Sequence, residues 1–295
     1  MMRLSQTEQR DFVEFCKRKA LSGKTAVEEP RFVSLLGAKG AGKTTLGRRL
    51  ENTVLISADD VICDYFRRLN VDARNYAYDR EESRFFTETI NEIFVAAIRG
   101  RRNITYDTGL TDNTEELIRR MKQKNYHTEI KAVLVDDIVA QLNVAERKLN
   151  FDRRFSDYQK GLGPYPEEMN PTAVGLKLAA KSATDTAEFL MTTDEPFEVF
   201  EYGSDRPAYD SRTAREPFAD YLEKFCARLP DKEIYRERLK SLYENSREQK
   251  NFRIEKELND LHLALYGRGL RRQQSKTGSA AGHRSYIAQA GIAGR

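Results

Sequence analysis

The sequence predicts an α/β protein built as a three-layer sandwich, with helices on both faces of a mostly parallel sheet and a helical C-terminal extension. Apolar runs typical of strands alternate with helical patterns along most of the 295 residues, and this order indicates parallel βαβ units. Hydrophobic residues make up 39% and charged residues 33% of the chain, which is enough apolar material for a folded core. A third observation is a glycine-rich segment between the first strand and the next helix: Gly37-Ala38-Lys39-Gly40-Ala41-Gly42-Lys43-Thr44.

The first half of the chain is expected to begin with an amphipathic helix over residues 5–19 and a loop over 23–30. Strands are predicted where short apolar runs end in polar or glycine residues, at 32–36, 54–56, 103–106 and 130–135. Helices are predicted where apolar residues recur every three or four positions, from Lys43 onward and over 60–69, 85–98, 114–124 and 138–149.

The second half begins with residues 153–169, which are rich in charge, Gly and Pro and are expected to form a mobile lid or loop. A helix over 173–191, a strand over 197–202 and a turn at 203–206 are predicted next. Two helical patterns follow, over 214–229 and 234–265.

Composition excludes several classes of protein. The longest apolar runs span only a few residues, such as 132–135, whereas a membrane-spanning helix needs about 20. Three widely spaced cysteines without a C-x-x-C pair indicate neither a disulfide framework nor a zinc site. The N-terminus lacks a basic start and an apolar segment, so no secretory signal is expected and the predicted location is the cytoplasm.

Charge is distributed unevenly. Residues 261–295 contain six Lys or Arg and no Asp or Glu, and the 44 basic and 46 acidic residues before them give positions 1–260 a net charge of −2. A nucleic-acid partner is therefore not expected, because such partners usually require a basic surface. The region 267–295 also holds six glycines and is predicted to be a flexible basic tail, either solvated or a partner-binding arm.

The glycine-rich segment matches the phosphate-binding pattern G-x-x-x-x-G-K-[ST] in the strand–loop–helix context that the pattern requires. Backbone N–H groups of such a loop surround a phosphate chain, the lysine reaches the terminal phosphates and the hydroxyl binds Mg²⁺. We therefore predict a P-loop NTPase-type fold with ATP and Mg²⁺ as cofactors. The alternative is a glycine-rich turn that ends in Lys-Thr by chance. The nucleotide-binding residues are Gly37, Ala38, Lys39, Gly40, Ala41, Gly42, Lys43, Thr44 and Thr45, with Thr44 as the Mg²⁺ ligand.

Carboxylates follow the second predicted strand, at Asp59 and Asp60. Open α/β sheets bind ligands at the carboxyl ends of their strands, where an Asp can accept the proton of an attacking hydroxyl. Helix capping is an equally good interpretation of either residue alone. No apolar strand ends in D-x-x-G and Asn-Lys-x-Asp is absent, so the sequence does not favour a GTPase.

The third predicted strand ends in Asp107 and Thr108, polar side chains that could orient an acceptor substrate. Arg147 lies near the end of a predicted helix, and Arg153 and Arg154 begin the predicted lid. Arginines on a closing lid can neutralise charge on a transferred phosphoryl group. The alternative for each is a solvated charged surface.

The order of these motifs resembles the zeta-toxin family of P-loop kinases, whose members phosphorylate UDP-N-acetylglucosamine on a sugar hydroxyl. The resemblance spans roughly residues 30 to 230 and includes the phosphate loop, 54–59, 103–110, 197–200 and 209–211. It implies that Asp59 is the catalytic base, that Asp107 binds the substrate and that Arg147 is a lid arginine. We further predict that Lys43 and Arg147 are catalytic and that Asp60 and Thr108 also bind the substrate. The resemblance further implies a nucleotide-sugar substrate and an antitoxin partner.

The resulting division of the chain is an N-terminal helical segment (1–28), a P-loop kinase domain (29–230), a C-terminal helix (231–266) and a basic tail (267–295). Two other functions stay open at this stage. Asp59 and Asp107-Thr108 also resemble the kinase part of polynucleotide kinases, and the chain could instead be a nucleotide-binding regulator whose ATP state a partner recognises.

Overall fold

A computed structural model describes residues 4–72, 74, 79–107, 114–166 and 175–267. Six strands form one sheet in the order β2-β3-β1-β4-β5-β6, and all neighbouring pairs are parallel except β5 with β6. The predicted α/β fold with a mostly parallel sheet is confirmed, and the short edge strand β6 was not predicted. The strands are β1 (Arg31–Gly37), β2 (Thr53–Ser57), β3 (Asn103–Asp107), β4 (His127–Leu134), β5 (Phe197–Glu201) and β6 (Tyr209–Asp210).

Ten α-helices and one short 3-10 helix (Lys232–Tyr235) occur in these described segments, and none of them is long and apolar enough to cross a membrane. Several begin where a polar side chain accepts backbone N–H groups; Ser5 and Asp79, for example, form capping boxes with Glu8 and Glu82. The helices are α1 (Gln6–Leu21), α2 (Lys43–Arg49), α3 (Ala58–Leu69), α4 (Arg80–Arg99), α5 (Thr114–Gln123), α6 (Asp137–Gln159), α7 (Leu176–Thr192), α8 (Phe218–Ala227), α9 (Arg236–Glu248) and α10 (Phe252–Tyr266).

Successive side chains of a strand point to opposite sides of the sheet, and helices pack against both sides. In β1, Phe32 and Leu36 join one hydrophobic cluster, which contains the apolar faces of α1, α3, α4, α5 and α8. Val33 and Leu35, the residues between, join a second cluster with α7, α9 and α10. Helix α6 contributes to both clusters. This is the three-layer arrangement expected from the sequence.

The prediction of a loop beginning at residue 153 was wrong. Helix α6 continues to Gln159, so Arg153 and Arg154 lie on a helix. The apolar pattern continues through Phe151 and Phe155, which are both buried and stack on each other with ring centroids 6.0 Å apart. These two aromatic contacts stabilise the last turns of the helix despite the charged residues between them.

The single helix predicted over 234–265 was also wrong, because the structure divides this region into the 3-10 helix, α9 and α10. The chain reverses at Lys250, which has a left-handed backbone conformation (φ 55°), and Asn251. The Asn251 side chain accepts the backbone N–H of Ile254 at 3.1 Å and so caps α10. An asparagine can compete in this way with a continuous helix, and α10 packs back against α9.

The C-terminal helices share a hydrophobic core with the glycine-rich loop. Leu239 of α9 and Leu258 of α10 are completely buried, in the same cluster as Ala38 and Ala41 of the loop. The boundary predicted between residues 230 and 231 therefore crosses a continuous hydrophobic cluster.

We predict that Leu239→Ala lowers the free energy of unfolding by about 2–4 kcal/mol, because it leaves a cavity in this cluster. Chemical denaturation monitored by circular dichroism measures the change. Ile234→Ala is a matched control, since Ile234 is 67% exposed and its truncation should change stability by less than about 0.5 kcal/mol. Equal effects of the two substitutions would contradict the shared core.

The start of α6 carries two adjacent acids, Asp136 and Asp137, and the first of them contacts the C-terminal extension. Asp136 accepts the backbone N–H of Ile138 at 2.7 Å through one carboxyl oxygen and the Tyr235 hydroxyl at 3.0 Å through the other. Burial, together with the neighbouring charge of Asp136, raises the pKa of Asp137 to about 6. The folded state therefore favours the protonated form of Asp137.

A raised carboxyl pKa destabilises the fold once the group must ionise. An unfolded Asp titrates near pH 3.9, so the penalty from Asp137 should grow between about pH 4 and pH 6 and be fully present above that window. We expect Asp137→Asn to raise the free energy of unfolding at pH 7 by on the order of 1–2 kcal/mol relative to the wild type. Denaturation of both proteins between pH 4 and pH 8 tests this. A stability difference that does not change with pH would contradict the raised pKa.

Candidate functional site

The glycine-rich loop connects the end of β1 to the first residue of α2, Lys43. Gly37, at the end of β1, has φ +142°, and a Cβ atom there would lie 2.7 Å from the Val133 carbonyl oxygen of β4. Only glycine fits this contact, since a Cβ at that distance would collide with the backbone. The loop therefore leaves β1 closely packed against the neighbouring strand.

Lys43 turns back over the loop. Its ammonium group donates hydrogen bonds to the carbonyl oxygens of Gly37 and Ala38, both at 3.0 Å. Burial lowers the pKa of Lys43, and the nearby carboxylates of Asp107 and Asp59 partly oppose this shift. A half-buried ammonium with two acids nearby lies over the loop, where a loop of this type binds a phosphate chain.

Thr44 contacts the end of a neighbouring strand. Its hydroxyl donates to a carboxyl oxygen of Asp107 at 2.5 Å, and Asp107 is the last residue of β3, in register with Leu35 of β1 and Ser57 of β2. The contact exists because β3 lies directly beside β1 in the sheet. A hydroxyl and a carboxylate at this edge are oxygen ligands of the kind that Mg²⁺ prefers.

Asp59 and Asp60 lie in the first turn of α3, directly after β2. The N-cap of this helix is Ser57, so neither acid occupies the capping position considered from the sequence. Asp59 is 3.6 Å from the guanidinium of Arg147, and Asp60 is 3.6 Å from that of Arg48. Burial raises the pKa of Asp60.

One cavity of about 860 Å³ brings most of the predicted residues together. Lys43 and Thr44 lie on the loop side, Asp59 and Asp107 at the strand ends, and Arg147 on α6. The cavity also has a wall that the sequence did not predict, formed by residues of α6, of α7 and of the segment after β5: Asn143, Glu146, Asn150, Leu178, Ser182, Asp185, Tyr202, Gly203 and Ser204. Asn143 and Asn150 flank Arg147 at helical spacing, which is the signal that could have identified them.

The two arginines predicted to lie on a lid are not in this cavity. Arg153 lines a separate cleft between α6 and the turn that joins α9 to α10, together with Arg238 and Lys250. Arg154 is exposed on α6. The structure therefore does not bring these two arginines to the cavity of the glycine-rich loop. Thr108 lies outside the described residues.

The residues present fit ATP with Mg²⁺. The loop supplies its backbone and the half-buried ammonium of Lys43, and Thr44 with Asp107 supplies oxygen ligands. Within the part of the chain that the structure describes, no three Asp, Glu, His or Cys residues form a metal cluster of their own. Mg²⁺ in kinase sites is usually held by one or two protein side chains together with substrate phosphates and water.

The loop, the flanking parallel strands and the acids at the strand ends define a P-loop NTPase-type fold. The zeta toxin family model matches residues 17–158, which include the loop, Asp59, Asp107 and Arg147. This region of the chain is therefore similar to the zeta toxin family, which consists of P-loop kinase-like phosphotransferases.

One solved structure supports the fold over a longer span. The chain is similar to a structure from the PezAT chromosomal toxin–antitoxin system of Streptococcus pneumoniae, with a TM-score of 0.58 and 17% identity over 84% of this chain and 98% of the other. Complexes of AvrRxo1-ORF1 with AvrRxo1-ORF2 are more distant. The complex with ATP has a TM-score of 0.47 and 12% identity, over 85% of this chain and 83% of the other. The complex with sulphate ions has 0.45 and 13%, over 84% and 83%. A comparison with curated proteins found no match.

We predict that Thr44→Val weakens ATP binding at least about tenfold in the presence of Mg²⁺, because the variant loses the hydroxyl ligand and its bond to Asp107. With EDTA in place of Mg²⁺, the variant and the wild type should bind ATP with similar affinity. Calorimetric titration under both conditions measures the difference. An equal loss with and without Mg²⁺ would contradict the metal-ligand role of Thr44.

Proposed function

We propose that the protein transfers the γ-phosphate of ATP to a hydroxyl of a nucleotide sugar such as UDP-N-acetylglucosamine. The observation that carries this proposal is the position of Asp59. Its carboxylate lines the same cavity as Lys43, Thr44 and Asp107, and it lies within 3.6 Å of Arg147. An acid, two cations and a metal-binding hydroxyl around one phosphate loop are the groups that phosphoryl transfer requires.

In the proposed reaction the loop backbone and Lys43 bind the phosphates, and Asp59 accepts the proton of the acceptor hydroxyl. The hydroxyl oxygen forms a bond to the γ-phosphorus, the bond from that phosphorus to the bridging oxygen breaks, and ADP leaves with the electron pair. Arg147 neutralises charge on the transferred group. Thr44 and Asp107 would hold Mg²⁺, which would supply further charge neutralisation at the phosphates.

Asp107 has two proposed contacts. One carboxyl oxygen holds the Thr44 hydroxyl, and the resemblance to the family assigns the residue to the acceptor. Since a carboxylate has two oxygens, both contacts can form at once. Asp60, paired with Arg48 beside Asp59, is proposed to bind the acceptor. We assign charge neutralisation to Arg147, since Arg153 and Arg154 do not line the cavity.

We also propose that an antitoxin protein restrains this activity. The match to the zeta toxin family model over residues 17–158 supports this partner, and the similar structure from Streptococcus pneumoniae comes from a toxin–antitoxin system. A nucleotide-sugar substrate is consistent with the predicted location in the cytoplasm.

The test is mass spectrometry of reactions that contain the protein, ATP, Mg²⁺, a set of UDP-sugars and a 5′-hydroxyl oligonucleotide. We expect a UDP-sugar to gain one phosphate, and we expect Asp59→Asn to lower the transfer rate by about 10²–10⁴-fold, the usual contribution of a general base. ATP binding should change little. Asp60→Asn removes the same charge one residue away and should mainly raise the KM for the acceptor.

Three results would contradict this proposal. Transfer retained by Asp59→Asn would remove the assigned base. Phosphate on the oligonucleotide instead of a sugar would favour a polynucleotide kinase. ATP binding without transfer to any acceptor would favour a nucleotide-binding regulator.

A further inference from the structure

A helix of the C-terminal extension reaches the phosphate loop through two side chains. Asn143 on α6 donates its amide N–H to the carbonyl oxygen of Gly40 at 2.8 Å, and Arg238 on α9 donates to the Asn143 amide oxygen at 2.7 Å. We propose that Asn143 and Arg238 are positioning residues that hold the phosphate loop in its nucleotide-binding shape. The inference rests on the proposed nucleotide binding by this loop.

The contact fixes one peptide unit of the loop from both sides. The carbonyl of Gly40 and the N–H of Ala41 belong to the same planar peptide and point in opposite directions. The Ala41 N–H donates to the Ala38 carbonyl at 3.1 Å, within the loop, while the Gly40 carbonyl is held outside it by Asn143. The peptide therefore cannot rotate without breaking a hydrogen bond at each end.

Arg238 determines which way the Asn143 amide faces. An asparagine amide has one acceptor oxygen and one donor nitrogen, whereas a guanidinium only donates. Arg238 must therefore meet the oxygen, and this leaves the nitrogen toward Gly40. The same arginine is paired with Glu146 at 2.6 Å, one turn along α6 from Asn143. The amide is thus held in the orientation that serves the loop.

The loop and α6 are in close contact at Gly40. A Cβ atom on Gly40 would lie 2.7 Å from the Ala140 carbonyl oxygen and 3.1 Å from the Cβ of Asn143. Helix α9 is fixed in turn by Leu239 and Leu242, which are buried in the second hydrophobic cluster. Arg238 therefore projects from a helix whose position is set by the core.

Helix α6 also carries Arg147, one turn after Asn143. The same helix thus contacts the loop through Asn143 and Asp59 through Arg147. By holding α6 and the loop together, Arg238 acts on nucleotide binding without contacting nucleotide. This gives the C-terminal extension a part in the phosphate site that its sequence did not indicate.

The experiment measures the Kd of the full-length protein for a fluorescent ATP analogue with Mg²⁺, together with the melting temperature of each variant. We expect Asn143→Ala to raise Kd about tenfold, the effect of losing one positioning hydrogen bond of ordinary strength. Arg238→Met should raise Kd by a smaller factor, and Arg238→Lys, which keeps a donor and the charge, should recover part of the loss. Lys240→Met is the matched control, since Lys240 lies on the same helix and is paired with the exposed Glu237. The Kd of this variant should equal that of the wild type.

A double variant tests whether Arg238 acts through Asn143. If it does, adding Arg238→Met to Asn143→Ala should leave Kd unchanged, because the amide that Arg238 orients is already gone. Additive losses, or variants that lose melting temperature while their Kd stays at the wild-type value, would overturn the positioning roles. Absence of ATP-analogue binding by the wild type would instead overturn the proposed function, and this inference with it.

Discussion

The parallel pairing of β1 with both β3 and β4 is the constraint on which the rest of the site depends. It places Asp107 at the end of β3 and the Val133 carbonyl of β4 on either side of the loop that leaves β1. The Thr44–Asp107 hydrogen bond and the close contact at Gly37 both follow from this register. A shift of β3 by one residue would turn the Asp107 side chain to the other face of the sheet. The positions of Asp107 and Gly37 are thus set by the backbone hydrogen bonds of the sheet.

Helix α6 lines the other side of the cavity and is held in place by its packing. Leu142 and Leu149 pack in the second hydrophobic cluster, whereas Phe151 and Phe155 pack in the first. A helix anchored in two cores has little freedom to shift, since each core is densely packed. Its polar face therefore presents Asn143 and Arg147 at fixed positions relative to the loop and to α3. The C-terminal helices complete the second cluster and so contribute to the same rigidity.

Local spacing predicted the parts of the site that depend on a few adjacent residues. The glycine pattern identified the loop, and apolar runs ending in acids located Asp59 and Asp107 at the sheet edge. The prediction of a lid was wrong because it gave more weight to the charges of Arg153 and Arg154 than to the two buried phenylalanines that extend α6. The break at Asn251 was missed because α9 and α10 both show helical periodicity. Asn143 and Gly40 are 103 residues apart, and Arg238 and Asn143 are 95 apart, so no local pattern could have joined them.

The hydrogen bonds that Lys43 makes to its own loop determine which ligands can bind with a net gain. The ammonium already has two carbonyl partners at 3.0 Å, so any incoming group must replace these bonds before it contributes affinity. A neutral acceptor would only exchange one set of ordinary hydrogen bonds for another. A phosphate oxygen carries negative charge and forms bonds roughly twice as strong. Lys43 therefore favours ligands that carry negative charge, and a nucleoside without phosphates would gain little affinity from it.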